Sequence, residues 1–160
     1  FSTSEKGNKH LLVMVDNLTR YSELVPIPDK TAETVAIAFR EHVVLRHTCP
    51  RVLLSDNGSE FINGIMQDLC SRFNIHQVPV APRHPASNGL AERTNRKVLE
   101  VLRVTVNPSC TTWDEAIPDV QCTLNSSLNS SIGETPHFAL YGYDKRLPYE
   151  ILFAPPRPTY

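Results

Sequence analysis

Val52-Leu53-Leu54-Ser55-Asp56-Asn57-Gly58-Ser59 passes from an apolar run straight into a turn. The run predicts a short strand over residues 51–55. Asp-Asn-Gly predicts a tight turn directly after it, which leaves Asp56 at a strand end. A second carboxylate, Glu92, follows with 35 residues intervening, in a stretch of helical pattern. An acid at a strand end and an acid on a helix suit a shared site for hard cations. Magnesium and manganese take oxygen ligands, and phosphoryl chemistry often uses two such ions as a clamp. Each acid also has a plainer reading. Asp before Asn-Gly is a common turn former. Glu92 with Arg96 four residues on is an ordinary surface pair, worth about a few tenths of a kcal/mol.

At 160 residues the chain is long enough for one domain with a real core. Its 41% hydrophobic and 21% charged residues are those of a globular protein. No apolar run approaches the length of a membrane span. The opening Phe1-Ser2-Thr3-Ser4-Glu5-Lys6 has no apolar core of a signal peptide and no initiating Met, and it reads as the start of a fragment. Cys49, Cys70, Cys110 and Cys122 are widely spaced with no C-x-x-C, so reduced, mostly buried thiols are expected and a zinc site is not. The net charge of −1 does not advertise nucleic-acid binding, and the distribution of charge says more. Between Arg83 and Arg103 lie five basic residues (Arg83, Arg93, Arg96, Lys97, Arg103) and two acidic ones (Glu92, Glu100), a local balance of +3. Phosphate binding depends on such a patch rather than on the chain total. On charge alone a solvated helix face is the simpler reading.

The rest of the chain reads as an α/β alternation. His10–Asp16 is a nearly continuous apolar run, hence a buried strand. Tyr21–Ile27 is its partner after a turn near Thr19-Arg20, and Pro26 and Pro28 put its far end at an edge or bulge. Thr31 caps a helix reaching about Arg46. Helices follow at about 64–73, with strand 75–80 after it, and at about 88–106. The latter carries a buried stripe of Leu90, Thr94, Val98, Val101, Leu102 and Thr105, with Glu92 and Arg96 on the opposite face. Residues 81–89 read as an irregular loop. Thr112-Trp113-Asp114-Glu115 reads as a capping box, Pro118 as a disturbance of the first turn, and Ile117, Val120, Leu124 and Leu128 as the stripe of the helix it opens. Thr135-Pro136 caps a last helix that Gly142 stops. Residues 1–148 make the domain and the Pro-rich residues 149–160 a linker.

In wording as well as order, the chain resembles the catalytic core of integrases of LTR retroelements, retroviral and Ty3/gypsy-like. Ser55-Asp56-Asn57-Gly58-Ser59-Glu60-Phe61 is similar to the family's second-Asp motif, and His84 through Arg96 to its loop-and-Glu motif. Trp113–Pro118, Leu124–Ser127, Ser131–Pro136 and Tyr141-Gly142 resemble the closing segment of the Ty3/gypsy type. The resemblance implies a ribonuclease-H-like fold, a mixed five-stranded sheet flanked by helices, lacking here its first, central strand. That strand carries the first catalytic Asp, which the resemblance places upstream of Phe1. Asp16, on the following strand, is not that residue. Arg83, Ala86 and Thr94 depart from the family pattern without touching the carboxylates.

The implied activity is polynucleotidyl transfer: trimming of the 3′ ends of retroelement DNA and joining of those ends to target DNA. The resemblance makes Asp56 and Glu92 catalytic metal ligands for two Mg2+ or Mn2+ ions. It gives Arg83, Ser87, Asn88, Arg93, Arg96 and Lys97 contacts to DNA. It also implies retroelement-end and target DNA as partners, a dimer or tetramer, no membrane, a cytoplasmic particle and then action in the nucleus. The fragment by itself is expected to be inactive. Two rival expectations stand beside it: a DNA transposase of the same fold, and a non-catalytic DNA-binding protein derived from an integrase.

Overall fold

The computed structural model describes residues 2–79, 85–105 and 111–147. β1 (His10–Val15) and β2 (Ser22–Ile27) form an antiparallel pair, with His10 opposite Ile27 and Val15 opposite Ser22. The Asp16 carboxylate shapes the turn between them. Its Oδ2 accepts from Thr19 N at 2.8 Å and from Thr19 Oγ1 at 2.6 Å, and Arg20 takes a left-handed φ of 63°. α1 (Ala32–Phe39) is capped by Thr31 as expected. From Arg40 to Val44 it loosens into a π-helical turn, which the expected single helix to Arg46 did not include. β3 (Val52–Ser55), α2 (Gly64–Arg72) and β4 (His76–Pro79) form a parallel βαβ unit. α3 spans Pro85–Thr105. A 3-10 turn (Trp113–Ala116) leads into α4 (Ile117–Ser126), and α5 covers Pro136–Tyr141.

The β1–β2 pair has a core on each face, because alternate residues point to opposite sides. Leu12, Val25 and Ile27 face Val35, Ala36 and Phe39 of α1 and Met66 and Cys70 of α2. Leu24, with Leu11 and Val13 partly buried beside it, faces Val98 and Leu102 of α3 and Trp113, Ile117 and Val120. The outer edge of β2 is sealed by side chains. Ser22 N donates to Asn125 Oδ1 at 2.8 Å, Asn125 Nδ2 donates to Ser22 O at 2.9 Å, and Leu24 N donates to Gln121 Oε1 at 2.7 Å. The next such position is Pro26, which has no N–H to satisfy. Buried Glu23 then ties β2 to its neighbours, accepting from Arg46 Nη1 at 3.1 Å and Gln121 Nε2 at 3.1 Å and meeting His47 Nε2 at 2.8 Å. Tyr21 packs edge-on against His47 and Tyr141; burial first, then Tyr141 and Glu23, push its hydroxyl up to about 12.

Among the described residues the strands form two two-stranded sheets, antiparallel β1–β2 and parallel β3–β4, the mixed set expected of this fold without its central strand. Several finer expectations need correction. Residues 85–89, expected in an irregular loop, are already helical, with Pro85 at the first helical position, where its fixed φ and missing N–H cost nothing. Thr112 makes no side-chain cap, and Glu115 pairs instead with Lys6 at 3.2 Å. Leu128 lies past the end of α4 and is exposed. Of the cysteines described, Cys70 is buried, Cys122 half-buried and Cys49 exposed, all free. The expected non-ideal start takes the form of the 3-10 turn before α4, whose first turn holds Pro118, and the Thr135 cap and the Gly142 stop (φ 78°) form as expected. Thr105's side chain, Cys110 and the linker 149–160 lie outside the described residues. No helix among those residues is long and apolar enough to cross a membrane.

Candidate active site

Asp56 follows the last residue of β3 and is exposed. Its Oδ1 accepts from Gly58 N at 3.0 Å, the turn expected of Asp-Asn-Gly. Asn63 pins the loop that follows. Its Nδ2 donates to Ser59 O at 3.0 Å and Glu60 O at 2.9 Å, while its Oδ1 accepts from Met66 N at 2.9 Å and so caps α2. Phe61 N and Ile62 N both reach Gly58 O at 3.0 Å, and Gln77 Nε2 of β4 donates to Phe61 O at 2.7 Å. The Asp56 loop is thus anchored to the helix and the strand that follow it.

Gly58 lies inside this loop for a steric reason. A Cβ added there would stand 2.5 Å from Glu60 Oε2 and 3.0 Å from Asp56 Oδ1. Two carboxylates therefore share the space over one bare Cα. Glu60 was not singled out from the sequence, although the signal was present: an acid four residues after Asp56, beyond a glycine.

Glu92 stands exposed in the first half of α3. Among the described residues it makes no ion pair with Arg96, so the plain surface-pair reading is not realised. Arg93, Arg96 and Lys97 are exposed on the same helix. A Cβ at Gly89 would meet Arg93 Nη1 at 3.1 Å, which places that guanidinium back along the helix toward its N-terminus. Val98 and Leu102 are buried against β2 and α4, so the basic residues lie off the packed stripe. Ser87 and Asn88 lie in α3, but their side chains, and all of Arg83, fall outside the described residues. Asp16, with its carboxylate engaged by Thr19, belongs to the turn. Among the described residues no three His, Cys, Asp or Glu side chains gather into a metal-binding group. The candidate donors are carboxylate oxygens throughout, the chemistry that suits magnesium or manganese rather than a softer metal.

The strand–helix–strand unit that contains this loop, with helices on both faces of the β1–β2 pair, is that of a ribonuclease-H-like protein. The family model described as the integrase core domain matches residues 1–85, more than half the chain and inclusive of Asp56. The chain belongs to the integrase core domain family. It is 28% identical over 145 residues to the Pol polyprotein of transposon 412 from Drosophila melanogaster, covering 91% of this chain and 12% of that protein. To the Pro-Pol polyprotein of simian foamy virus type 1 it is 32% identical over 143 residues, covering 89% and 12%. The chain thus spans about an eighth of the length of these relatives. Among solved structures, the catalytic core domain of BIV integrase superposes with a TM-score of 0.71 at 27% identity, covering 84% of this chain and 90% of that one. The HTLV-2 integrase core, solved in complex with magnesium, gives 0.69 at 24%, covering 82% and 84%.

Proposed function

We propose that this chain is the catalytic core of a retroelement integrase, which trims the 3′ ends of the element's DNA and joins them to target DNA. The observation that carries the reading is Asp56: it lies within the family match, and its carboxylate faces solvent at a strand end with a single short turn contact. Asp56 and Glu92 would hold divalent cations, Mg2+ or Mn2+. When bound, such ions activate the attacking oxygen and stabilise the leaving oxygen at phosphorus. Magnesium in the HTLV-2 core supports that choice of cation.

The chain's own residues do the positioning. Asn63 and Gln77 hold the Asp56 loop in one geometry, which matters because misplacement of a reacting group by about 1 Å can cost about a hundredfold in rate. Arg93, Arg96 and Lys97 would meet phosphates, fixing the register of the DNA without reading its bases. Ser87, Asn88 and Arg83 would lie near the DNA end. The active form would be a homo-oligomer acting in the nucleus. The test is strand transfer by the full-length integrase. Asp56→Asn and Glu92→Gln should each abolish metal-dependent joining while DNA binding persists. Joining that survives either substitution would overturn the assignment.

A further inference from the structure

Glu60 stands out among the groups that the proposed reaction leaves unused. Its carboxylate accepts no hydrogen bond and forms no ion pair among the described residues, although its backbone is pinned by Asn63. It is half-buried and turned back over Gly58 toward Asp56. Two carboxylates so placed repel one another, by about 1 kcal/mol for unit charges 4 Å apart in water. A surface glutamate is free to swing out into solvent, yet this one converges on the very group assigned to the cation. The missing Cβ at Gly58 is what admits it.

We infer that Glu60 is a positioning residue of the cation site, a second carboxylate that holds water bound to the ion on Asp56 and adds negative potential there. The inference rests on Asp56 being a cation ligand. The geometry favours an indirect contact. Both carboxylates border the space over Gly58, and magnesium keeps several of its waters when few protein ligands reach it. Carboxylates that orient such waters belong to the outer shell, whose loss commonly weakens metal affinity by about ten- to a hundredfold. Glu60 thus makes the Asp56 loop a two-carboxylate half-site, preformed before any ligand from α3 joins it.

The experiment is Mn2+ binding to the full chain, followed by the loss of the free-ion electron paramagnetic resonance signal. Four variants are compared: Glu60→Gln, Gly58→Ala, the double variant and Asp56→Asn. Glu60→Gln should weaken binding by about tenfold. Gly58→Ala should weaken it at least as much, because its Cβ would displace the Glu60 carboxylate and also crowd Asp56 Oδ1 at 3.0 Å. The double variant should bind no more weakly than Gly58→Ala alone, since the glycine change already displaces the carboxylate at position 60. That coupling is something a merely structural effect would not produce. Unfolding midpoints within a degree or two of the parent would confirm that all four fold. Parent-like affinity in Glu60→Gln, with loss in Asp56→Asn, overturns the role of Glu60 alone. Parent-like affinity in Asp56→Asn overturns the assignment of Asp56, and the inference with it.

Discussion

The two strand pairs of this molecule differ in how they are closed. β1–β2 is packed on both faces, and its outer edge is sealed by Asn125, Gln121 and Pro26. Among the described residues β3–β4 is packed on one face only. Leu53 sits against the core with α2, while Val52 and Leu54, on the opposite face, remain 47% and 49% exposed. The closed pair is scaffold, and the open pair carries the proposed catalytic aspartate. Activity needs carboxylates that solvent, cations and DNA can reach, and the part of a sheet that presents them cannot also be covered.

One residue type tests this contrast directly. Leu24 in β2 is 4% exposed and Leu54 in β3 is 49% exposed. Leu24→Ala should lower the stability of the chain by about 2–5 kcal/mol, the transfer and cavity cost of a buried leucine. Leu54→Ala should cost less than about 1 kcal/mol, as exposed substitutions do. Urea unfolding midpoints of the two variants measure the difference. Equal losses would show that the outer face of β3 is covered in solution.

The sealed edge gives the next largest effect. Asn125 is 2% exposed and holds both backbone groups of Ser22. Asn125→Ala leaves a donor and an acceptor without partners in the interior, at about 1–3 kcal/mol for an unsatisfied group. Stability should fall accordingly, and amide exchange at Ser22 should quicken far more than in the middle of α1. Unchanged exchange at Ser22 would mean that water or another group takes over the edge, and that the scaffold pair is no better closed than its neighbour.

Much of this was legible in the chain because it depends on near neighbours. The apolar run 10–16, the caps at Thr31 and Thr135 and the stop at Gly142 are local signals, and each became the element expected. Asp56 was legible for the same reason, since turn chemistry reads over three residues. What escaped depends on distance or on space. The seal on β2 joins Ser22 to Asn125 across 103 positions, and no spacing rule announces it. The π-helical turn at Arg40–Val44 places Arg46 and His47 against Glu23, a tertiary demand that overrides the helical pattern. Glu60 sat inside the decisive motif, but its direction follows from a Cβ that is absent, and a string of letters does not display that volume.

The smallest expected effect separates the two regions by pH. His137 lies in the first turn of α5 beside Tyr21, Tyr141 and Tyr143, buried, with no partner for its Nε2 among the described residues. Burial first, then Lys145, hold its imidazole below the usual histidine range, with Asp144 opposing. His42 is lowered as well, by burial and by Arg46 against Glu23 and Glu41. The folded protein therefore takes up these protons later than the unfolded chain as pH falls. Their contribution to stability is complete above the ordinary histidine value of about 6.5 and is lost as pH drops from there through the lowered folded values. Burial acts to raise the Asp114 carboxyl, but hydrogen bonds from Ser4 and Asn8 and the charge of Lys6 outweigh it and leave it lowered, so its loss follows only in the carboxylate range. In melting temperature against pH, the chain should decline first below about 6.5 and again at more acid values. His137→Phe should flatten the first decline, and doing so together with a change at His42 should nearly remove it. A first decline unaltered by both substitutions would place the sensitive groups elsewhere and break the link between scaffold burial and pH response.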